Sequence, residues 1–588
     1  MKISANMRAV LLCGTMIAGA VGAHTPARAN DGPADNNGTL PLPTGQFITP
    51  TFAAGAAFET LNPMLPAPYN NFRPDGAIAS ALSPDGSTLL VMTSGYNTLN
   101  DQNGNLLSPQ NGDPVDGASE YIFVYDVTNA TKPSVKAILR PPNTFVGLTW
   151  TPDSKSFYIS GGNDDVVYEY TAKGITSGWA PAATIQLGHN TVGIGLGQYP
   201  QAGGISIAAD GSVAAVANTL NDSFSLIKPS TNTLIPFTNP APGTLTTEYD
   251  LRPWATQGQN GVAGGETVYS VAITGMSGGS YRVFATSTRD RQVSVVDVSV
   301  SSGHATATFK GYIQLKGSPN NIILNQARTT AYVSEDNEDR VAVIDTASAT
   351  LVNEIDATGP TSVLPAGRRY TGAATNNLAL SHNEKTLYVT DGGQNALAII
   401  PLDGRAHPAA LVPTGWWPTT VSISRDDSVL WVFNNKSDPG ANPKYASSST
   451  YDLYAGNPPI PPKPYAKDGN SQAGDQEAQN QAYASNQYDE LLEQSGLLTL
   501  PAPNPKDYGV LTQQVAQNNG YTTQINVQDQ QVMGFLNSHI KHIIYIVKEN
   551  RTFDQVLGDL HNGADADPNL TVFGKTVTPN FHSSQPIS

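Results

Sequence analysis

Between Thr44 and about Asn435 one arrangement of apolar and polar positions recurs along the chain. An apolar run leads into a polar tight turn, a second apolar run, another polar turn and a third run. The first pass is IASALSPDGSTLLVMTSG, completed by YIFVYDV at Tyr121. VGLTWTPDSKSFYISGG with VVYEY, GGISIAADGSVAAVAN with SFSLI, and VYSVAITGMSGGSYRVFATS with QVSVVDV follow. NNIILNQARTTAYVSED with RVAVID, NNLALSHNEKTLYVTDGG with ALAIIPL, and TTVSISRDDSVLWVFNN bring the count to seven. Short runs of this kind, bounded by Gly, Asp, Asn and Ser, read as strands. A period of about 45 to 70 residues is that of a four-stranded propeller blade with inserted loops. Seven units fall within the roughly four to eight that close a ring. The expected fold is therefore mainly β, a seven-bladed β-propeller over residues 30–435, self-contained enough to fold alone.

The pairs Asp85-Gly86, Asp153-Ser154 and Asp210-Gly211 fit two-residue hairpin turns that need positive φ. Asp is what such turns require, so these carboxylates are read as turn chemistry and not as a metal ring. The seventh unit lacks a clear outer strand. GQFITPTF, from Gly45 to Phe52, is expected to supply it and so cover an exposed sheet edge.

After Asn435 the pattern stops. Residues 436–480, including NPPIPPKPYAKDGNSQAGDQEAQNQ, are rich in Pro and Gln and read as a linker or an extended loop. Helical spacing is expected over 481–538, in YASNQYDELLEQSGLL and in PKDYGVLTQQVAQNNG, where Leu511 and Val515 form a packing stripe. From 539 to 588 the character changes again. IKHIIYIV, Ile540 to Val547, is a continuous apolar run of strand length, as in a strand buried on both faces of a parallel sheet. TFDQVLGDL after it has helical spacing. Lys548, Glu549 and Asn550 thus fall beyond the carboxyl end of a strand, where open α/β sheets bind ligands. A carboxylate beside an amide offers hard oxygen ligands to a divalent cation.

HIIYIVKENRTFDQVLGDL, followed by GADADPNLTVFGKTVTPN, closely resembles the opening of bacterial phosphoesterases in the phospholipase C and acid phosphatase branch of the alkaline-phosphatase superfamily. The chain from Thr44 to Asn580 resembles bacterial proteins that join a YncE-like (YVTN-type) propeller to such a domain. GQFITPTF, LSPDGSTLLVMTSGYNTLND, SGLLTLPAP and the ENRTFD block carry the likeness. The resemblance implies metal-dependent hydrolysis of phosphoric esters, with Glu549 and Asn550 as metal ligands and a divalent ion as cofactor. In that family a Ser or Thr hydroxyl attacks phosphorus while the metal stabilises the attacking and leaving oxygens. The expected partner is then a small phosphoester or a phospholipid. Family members continue well past the TPN motif with the nucleophile and further ligands. This sequence reads FHSSQPIS there, so the nucleophile is expected beyond residue 588 and the 588-residue chain is expected to be inactive alone. Ser583, Ser584 and Ser588 lack a strand-to-helix setting and are not read as nucleophiles.

Charge and targeting narrow the rest. A net charge of −16 argues against nucleic-acid and anionic-membrane partners. Lys2 and Arg8, the apolar AVLLCGTMIAGAVGA and Ala27-Arg28-Ala29 read as a signal peptide over 1–29, so export to the periplasm or medium is expected. The single Cys, Cys13, lies inside it and is preceded by Leu12, unlike a lipoprotein site. No later run approaches a membrane span. Gly275-Met276-Ser277-Gly278-Gly279 satisfies G-x-S-x-G but bridges two expected strands, which makes it a hairpin and not a nucleophile elbow. His539, His542, His561 and His582 show no ligand spacing and are read as surface or loop residues. Two other functions stay open on the residues alone: a propeller that binds a ligand or protein without catalysis, and a lactonase-like propeller hydrolase with acidic groups holding a cation in the channel.

Overall fold

The computed structural model describes residues 39–42, 44–101, 105–172, 175–177, 181–189, 201–238, 245–363, 371–436, 493–521, 527–542, 553–560 and 571–584. Residues 1–29, read from sequence as a signal peptide, nearly all of 436–480, read as a linker, and Glu549 and Asn550 lie outside them.

Seven antiparallel sheets stand around one axis. Blade 1 holds Ala77–Leu82, Thr88–Thr93, Ile122–Asp126 and Ser134–Leu139, in order from the innermost strand outward. Blades 2 to 6 repeat that order, with innermost strands Leu148–Trp150, Ala202–Ile207, Val268–Gly275, Pro319–Leu324 and Thr375–Leu380. Second strands alternate between two neighbours. In blade 1, Leu89 and Val91 pack with Trp431 and Phe433 of blade 7, whereas Leu90 and Met92 pack with Trp150 and Phe157 of blade 2. The same division produces one apolar layer between every adjacent pair of blades. Both faces of a middle strand are therefore dry, which is why these runs are apolar throughout. Each fully buried Leu, Val or Phe contributes about 1.5–3 kcal/mol.

Ring closure differs from expectation. Blade 7 takes its inner strands, Pro418–Ile423 and Val429–Asn434, from the end of the repeat. Its third strand is Gly496–Pro501, pairing Leu498 with Val432, and its outer strand is Ala57–Thr60, pairing Phe58 with Leu498. GQFITPTF does not complete the blade; Phe47–Ile48 pairs with Leu40–Pro41 in a separate two-stranded ribbon. The helical reading of SGLL is likewise corrected. Leu497, Leu498 and Leu500 are fully buried on the two faces of a strand, so tertiary packing overrides the local spacing. The propeller thus runs past residue 435 and includes residues 496–501.

Tyr508–Asn518 is a helix, as its spacing predicts, and buries Leu511 and Val515 against blade 6. Thr512 Oγ1 accepts the N–H of Leu411 on that blade's outer strand. Ile540, Lys541 and His542 are not in a strand. Val527–His539, Phe553–Leu557 and Pro579–Ser584 are helices. No described helix is long and apolar enough to cross a membrane.

The hairpins between first and second strands are four-residue loops and not two-residue turns. Ser83 and Thr88 pair across Pro84–Ser87, and only Gly86 has positive φ, at 77°. Asp85 Oδ1 accepts from Ser87 N at 2.9 Å and from Ser83 Oγ at 2.6 Å, which is turn chemistry. Gly275 to Gly279 form the corresponding loop of blade 4, with Met276 N–H donating to Ser280 O.

Candidate ligand-binding channel

The innermost strands begin irregularly. Register slips between Ala77 and Ala79, Ala202 and Ile205, Val268 and Val271, Pro319 and Ile322, Thr375 and Asn377, and Pro418 and Thr420. A bulge at this point re-aims side chains, here toward the axis, and leaves a backbone N–H without its ladder partner. Hydroxyls from the second strand accept these N–H groups. Thr286 Oγ1 takes Ser270 N at 2.9 Å, Ser334 Oγ takes Asn321 N at 3.0 Å and Thr390 Oγ1 takes Asn377 N at 3.0 Å.

The bulges open onto a central cavity of about 590 Å³ whose wall is uneven. Blades 5 and 6 contribute consecutive amides, Asn320 with Asn321 and Asn376 with Asn377. Blades 4 and 7 add Ser270, Thr419 and Thr420, and Asn435 closes the row with an amide Oδ1 that is buried and lacks a protein partner. The opposite wall, from blades 1 to 3, is more apolar, with Ile78, Val146, Leu148 and Ile205 beside the hydroxyls of Ser80 and Ser206. Trp417 lies on the amide side, beside Gly392: a Cβ there would meet Asn376 Nδ2 at 2.6 Å and Trp417 Cε2 at 2.9 Å. Glycine alone lets that ring and amide approach the turn. Tyr269 completes the lining, edge-on to Phe145 at 6.0 Å. Burial, with the Asp336 charge adding to it, pushes the Tyr269 hydroxyl up to about 12.

No carboxylate or histidine lines this cavity, and Arg328, whose Nη1 donates to Ile273 O at 2.5 Å, is its one charged residue. Among the described residues no group of three His, Cys, Asp or Glu side chains could hold a metal ion. The acidic cation ring expected of a lactonase-like channel is therefore not in this wall among the described residues. The carboxylates sit instead at the ends of second strands, as Glu335 and Asp391 do, and in the turn that follows, as Asp336 does. Burial, reinforced by the neighbouring Asp339, raises Asp336. Burial also raises Glu335 to about 7 and holds Asp391 well above the usual carboxylate range.

A second polar centre was not legible in the sequence. His189 Nδ1 lies 2.5 Å from Asp165 Oδ1 and its Nε2 2.9 Å from Glu248 Oε2, with only 2% of the side chain exposed. Glu248 also accepts from Ser223 Oγ at 2.5 Å and Asn221 Nδ2 at 3.1 Å. Burial opposes the charge on His189, but the two carboxylates outweigh it and raise the imidazole to about 9. The Ser223 hydroxyl bonds to carboxylate and not to imidazole, so the group is an ionic clamp and not a nucleophile relay.

Of the residues picked from sequence, Glu549, Asn550, His561 and Ser588 lie outside the described residues. Ser583 is exposed and donates to Asn580 O at 3.0 Å, one turn back in its own helix. His539 is exposed and His542 likewise, but His582 is not a free surface residue. Its Nε2 lies 2.6 Å from Asp559 Oδ1 and 4% of its side chain is exposed. Sequence reasoning passed over the amide wall. Its signal was the doubled Asn of NNIIL and NNLAL, at one register position in successive repeats.

Among solved structures the chain is similar to Kuenenia stuttgartiensis hydrazine synthase at 15% identity and a TM-score of 0.41, over 62% of this chain and 93% of that one. It is similar to a functionally unknown protein from Desulfotomaculum acetoxidans DSM 771 at 15% identity and a TM-score of 0.36, over 56% and 83%. It is also similar to U3-55K at 9% identity and a TM-score of 0.43, over 76% and 99%. No curated protein matches the chain. The family described as lactonase, 7-bladed beta-propeller, matches residues 290–441, which run from the third and fourth strands of blade 4 through blades 5 and 6 to the inner strands of blade 7, and include all four doubled Asn residues.

Proposed function

We propose that the propeller is the ligand-recognition part of a hydrolase, and that its channel takes a small molecule rich in carbonyl and hydroxyl groups, such as a sugar lactone. One observation carries this reading. Four Asn side chains from two adjacent blades line one side of a cavity of about 590 Å³, opposite a wall of mainly aliphatic residues with two serines. Amides both donate and accept, which suits hydroxyl and carbonyl groups and gives no preference to a free ion. A cavity of this size is ordinary for small-molecule sites. Calorimetry with gluconolactone tests the binding step, and Asn321→Leu with Asn377→Leu should remove it. Binding unaffected by the double variant would end this assignment.

The second reading concerns the segment after His539. ENRTFD, with Glu549 and Asn550 read as divalent-metal ligands, supports phosphoric-ester hydrolysis by an exported protein acting on a small phosphoester or a phospholipid. Metal-dependent release of p-nitrophenol from p-nitrophenyl phosphate, lost in Glu549→Ala, would support it. Turnover that survives that substitution would remove the role of Glu549.

A further inference from the structure

The axial channel has a second chamber. Toward the hairpin end lies a cavity of about 430 Å³ that shares the walls Ser80, Ile323, Leu324, Gln326, Leu378 and Val421 with the first. Past that shared collar an aliphatic band of Ala81, Leu82, Ala379, Leu380 and Ile423 lines it, with Ser83, Ser422, His382 and Arg425 among the polar groups of the wall. Ala81, Leu82, Ile323, Leu324 and Leu380 are only partly buried, as most residues of the innermost strands of blades 1 and 5 are. Several polar groups at this end already have protein partners. Ser80 Oγ bonds Ser422 Oγ at 2.8 Å, Arg425 Nη1 donates to Pro84 O at 3.0 Å, and His382 Nδ1 lies 3.1 Å from Asp427 Oδ1. The aliphatic band of this chamber gains from contact with hydrocarbon.

The channel is thus graded along its axis, with amides at one end and aliphatic side chains at the other. We propose that its ligand is an amphiphile: a polar head held by Asn320, Asn321, Asn376 and Asn377, and a linear alkyl chain running through the Leu324 collar into the hairpin-side chamber. The proposal rests on the reading of the amide wall as the head site, and it narrows the ligand class from lactones in general to alkyl-bearing ones. An apolar chain gains affinity for each methylene removed from water, about threefold per group.

The experiment is calorimetry on the full chain with butyrolactone, octalactone and dodecalactone, which share a head and lengthen the tail. Gluconolactone serves as head without tail and octanol as tail without head. Ala81→Leu fills the chamber, and Leu380→Gln makes it polar; neither residue touches the amide wall. Affinity should rise about threefold per methylene in the native chain. Both variants should flatten that dependence while gluconolactone binds as before. Gluconolactone binding without any gain from lengthening tails would overturn the amphiphile and leave the amide wall standing. Octanol binding lost in Ala81→Leu, with no affinity for gluconolactone, would support the alkyl chamber and overturn the amide wall as a lactone site. Silence from every probe would overturn both.

Discussion

The Asp339 carboxylate, in a turn of blade 5, accepts the backbone N–H of Ala374 at 2.9 Å, and Ala374 immediately precedes the innermost strand of blade 6. Its other oxygen accepts Gly372 N–H at 2.8 Å. The arrangement recurs: Asp222 Oδ1 holds Thr267 N–H at 2.7 Å before blade 4, and Asn395 Oδ1 holds Trp417 N–H at 2.9 Å before blade 7. Asp339, Asp222 and Asn395 all stand in the left-handed region, with φ of 52°, 55° and 54°. Asp and Asn tolerate that conformation better than most residues. One side chain therefore ends a turn and fastens the next blade, and it fixes where the doubled-Asn bulge of blade 6 begins.

Replacing that anchor should be costly. Asp339→Ala strands two N–H groups in a fully buried site and strains a left-handed residue. The expected loss is about 2–4 kcal/mol, from two unmet donors. Asp339→Asn keeps one acceptor and the backbone preference and should lose less than half as much. Denaturant unfolding of the two variants checks the order, and equal losses would mean that the carboxylate is not the anchor.

Glu335 and Asp391 occupy the same register place in blades 5 and 6, opposite the first residue of the innermost strand. Blades 3, 4 and 7 place Asn218, Ser287 and Asn434 there, all neutral and buried. Asn434 Nδ2 donates to backbone carbonyls, so the position wants a donor. Glu335 Oε1 and Asp391 Oδ2 have no partner, which fits protonated acids. Burial raises Glu335 from 4.5 to about 7 and raises Asp391 well above 3.8. A raised carboxyl group stabilises the fold below its unfolded pKa, and that contribution is lost as pH climbs toward the folded value. Glu335→Gln should accordingly gain roughly 2 kcal/mol over the native chain at pH 8 and nothing at pH 4. Asp391→Asn should move in the same direction. Unfolding midpoints at the two pH values decide it, and a loss at pH 8 would show that the carboxylates are ionised and paired.

The clamp at His189 has the same pH sign in a higher window. Its imidazole is raised from 6.5 to about 9 by Asp165 and Glu248 against the cost of burial. The stability it supplies is complete below pH 6.5 and fades as pH passes 9, because a neutral ring donates from one nitrogen only. About 2–3 kcal/mol should disappear across that window. His189→Gln should remove most of the loss between pH 7 and 10 while lowering stability at pH 7. A histidine carbon resonance titrating near 6.5 would contradict the clamp.

What the chain reveals to a reader follows from how local each feature is. The seven repeats are legible because every second strand carries apolar residues at adjacent positions, and Asp85 or Asp210 marks the turn before it. The shape of those turns is less legible, since Asp-Gly serves two-residue and four-residue loops alike. Blade 7 resists reading because its third strand, around Leu498, and its outer strand, around Phe58, come from distant parts of the chain. Nothing in either segment names its partner. The wall of the channel is partly legible in Asn320-Asn321 and Asn376-Asn377. Only the bulges decide that these amides face the axis, and bulges leave no composition signal. His189 joins Asp165 and Glu248 from separate loops, so spacing could not have found it.

The split blade makes a claim about the smallest folding unit. Gly496–Pro501 pairs on one side with Val429–Asn434 and on the other with Ala57–Thr60, so it is the piece that joins both chain ends. Leu497 lies in the layer between blades 7 and 1, and Leu498 and Leu500 in the layer between blades 6 and 7. A chain that stops near residue 470 keeps every repeat of the sequence pattern but lacks this strand. Trp431 and Phe433 would then face water, and the outer strand Ala57–Thr60 would have no partner. Such a chain should aggregate or unfold, whereas one continued to residue 521 should melt cooperatively at the temperature of the propeller in the full chain. Within the full chain, Leu498→Ala should cost about 3–5 kcal/mol, the toll of an aliphatic cavity in a rigid layer. A soluble, cooperatively melting chain ending at 470 would show that the ring closes without its seventh blade complete, and the pairing of Leu498 with Val432 and Phe58 would then be dispensable.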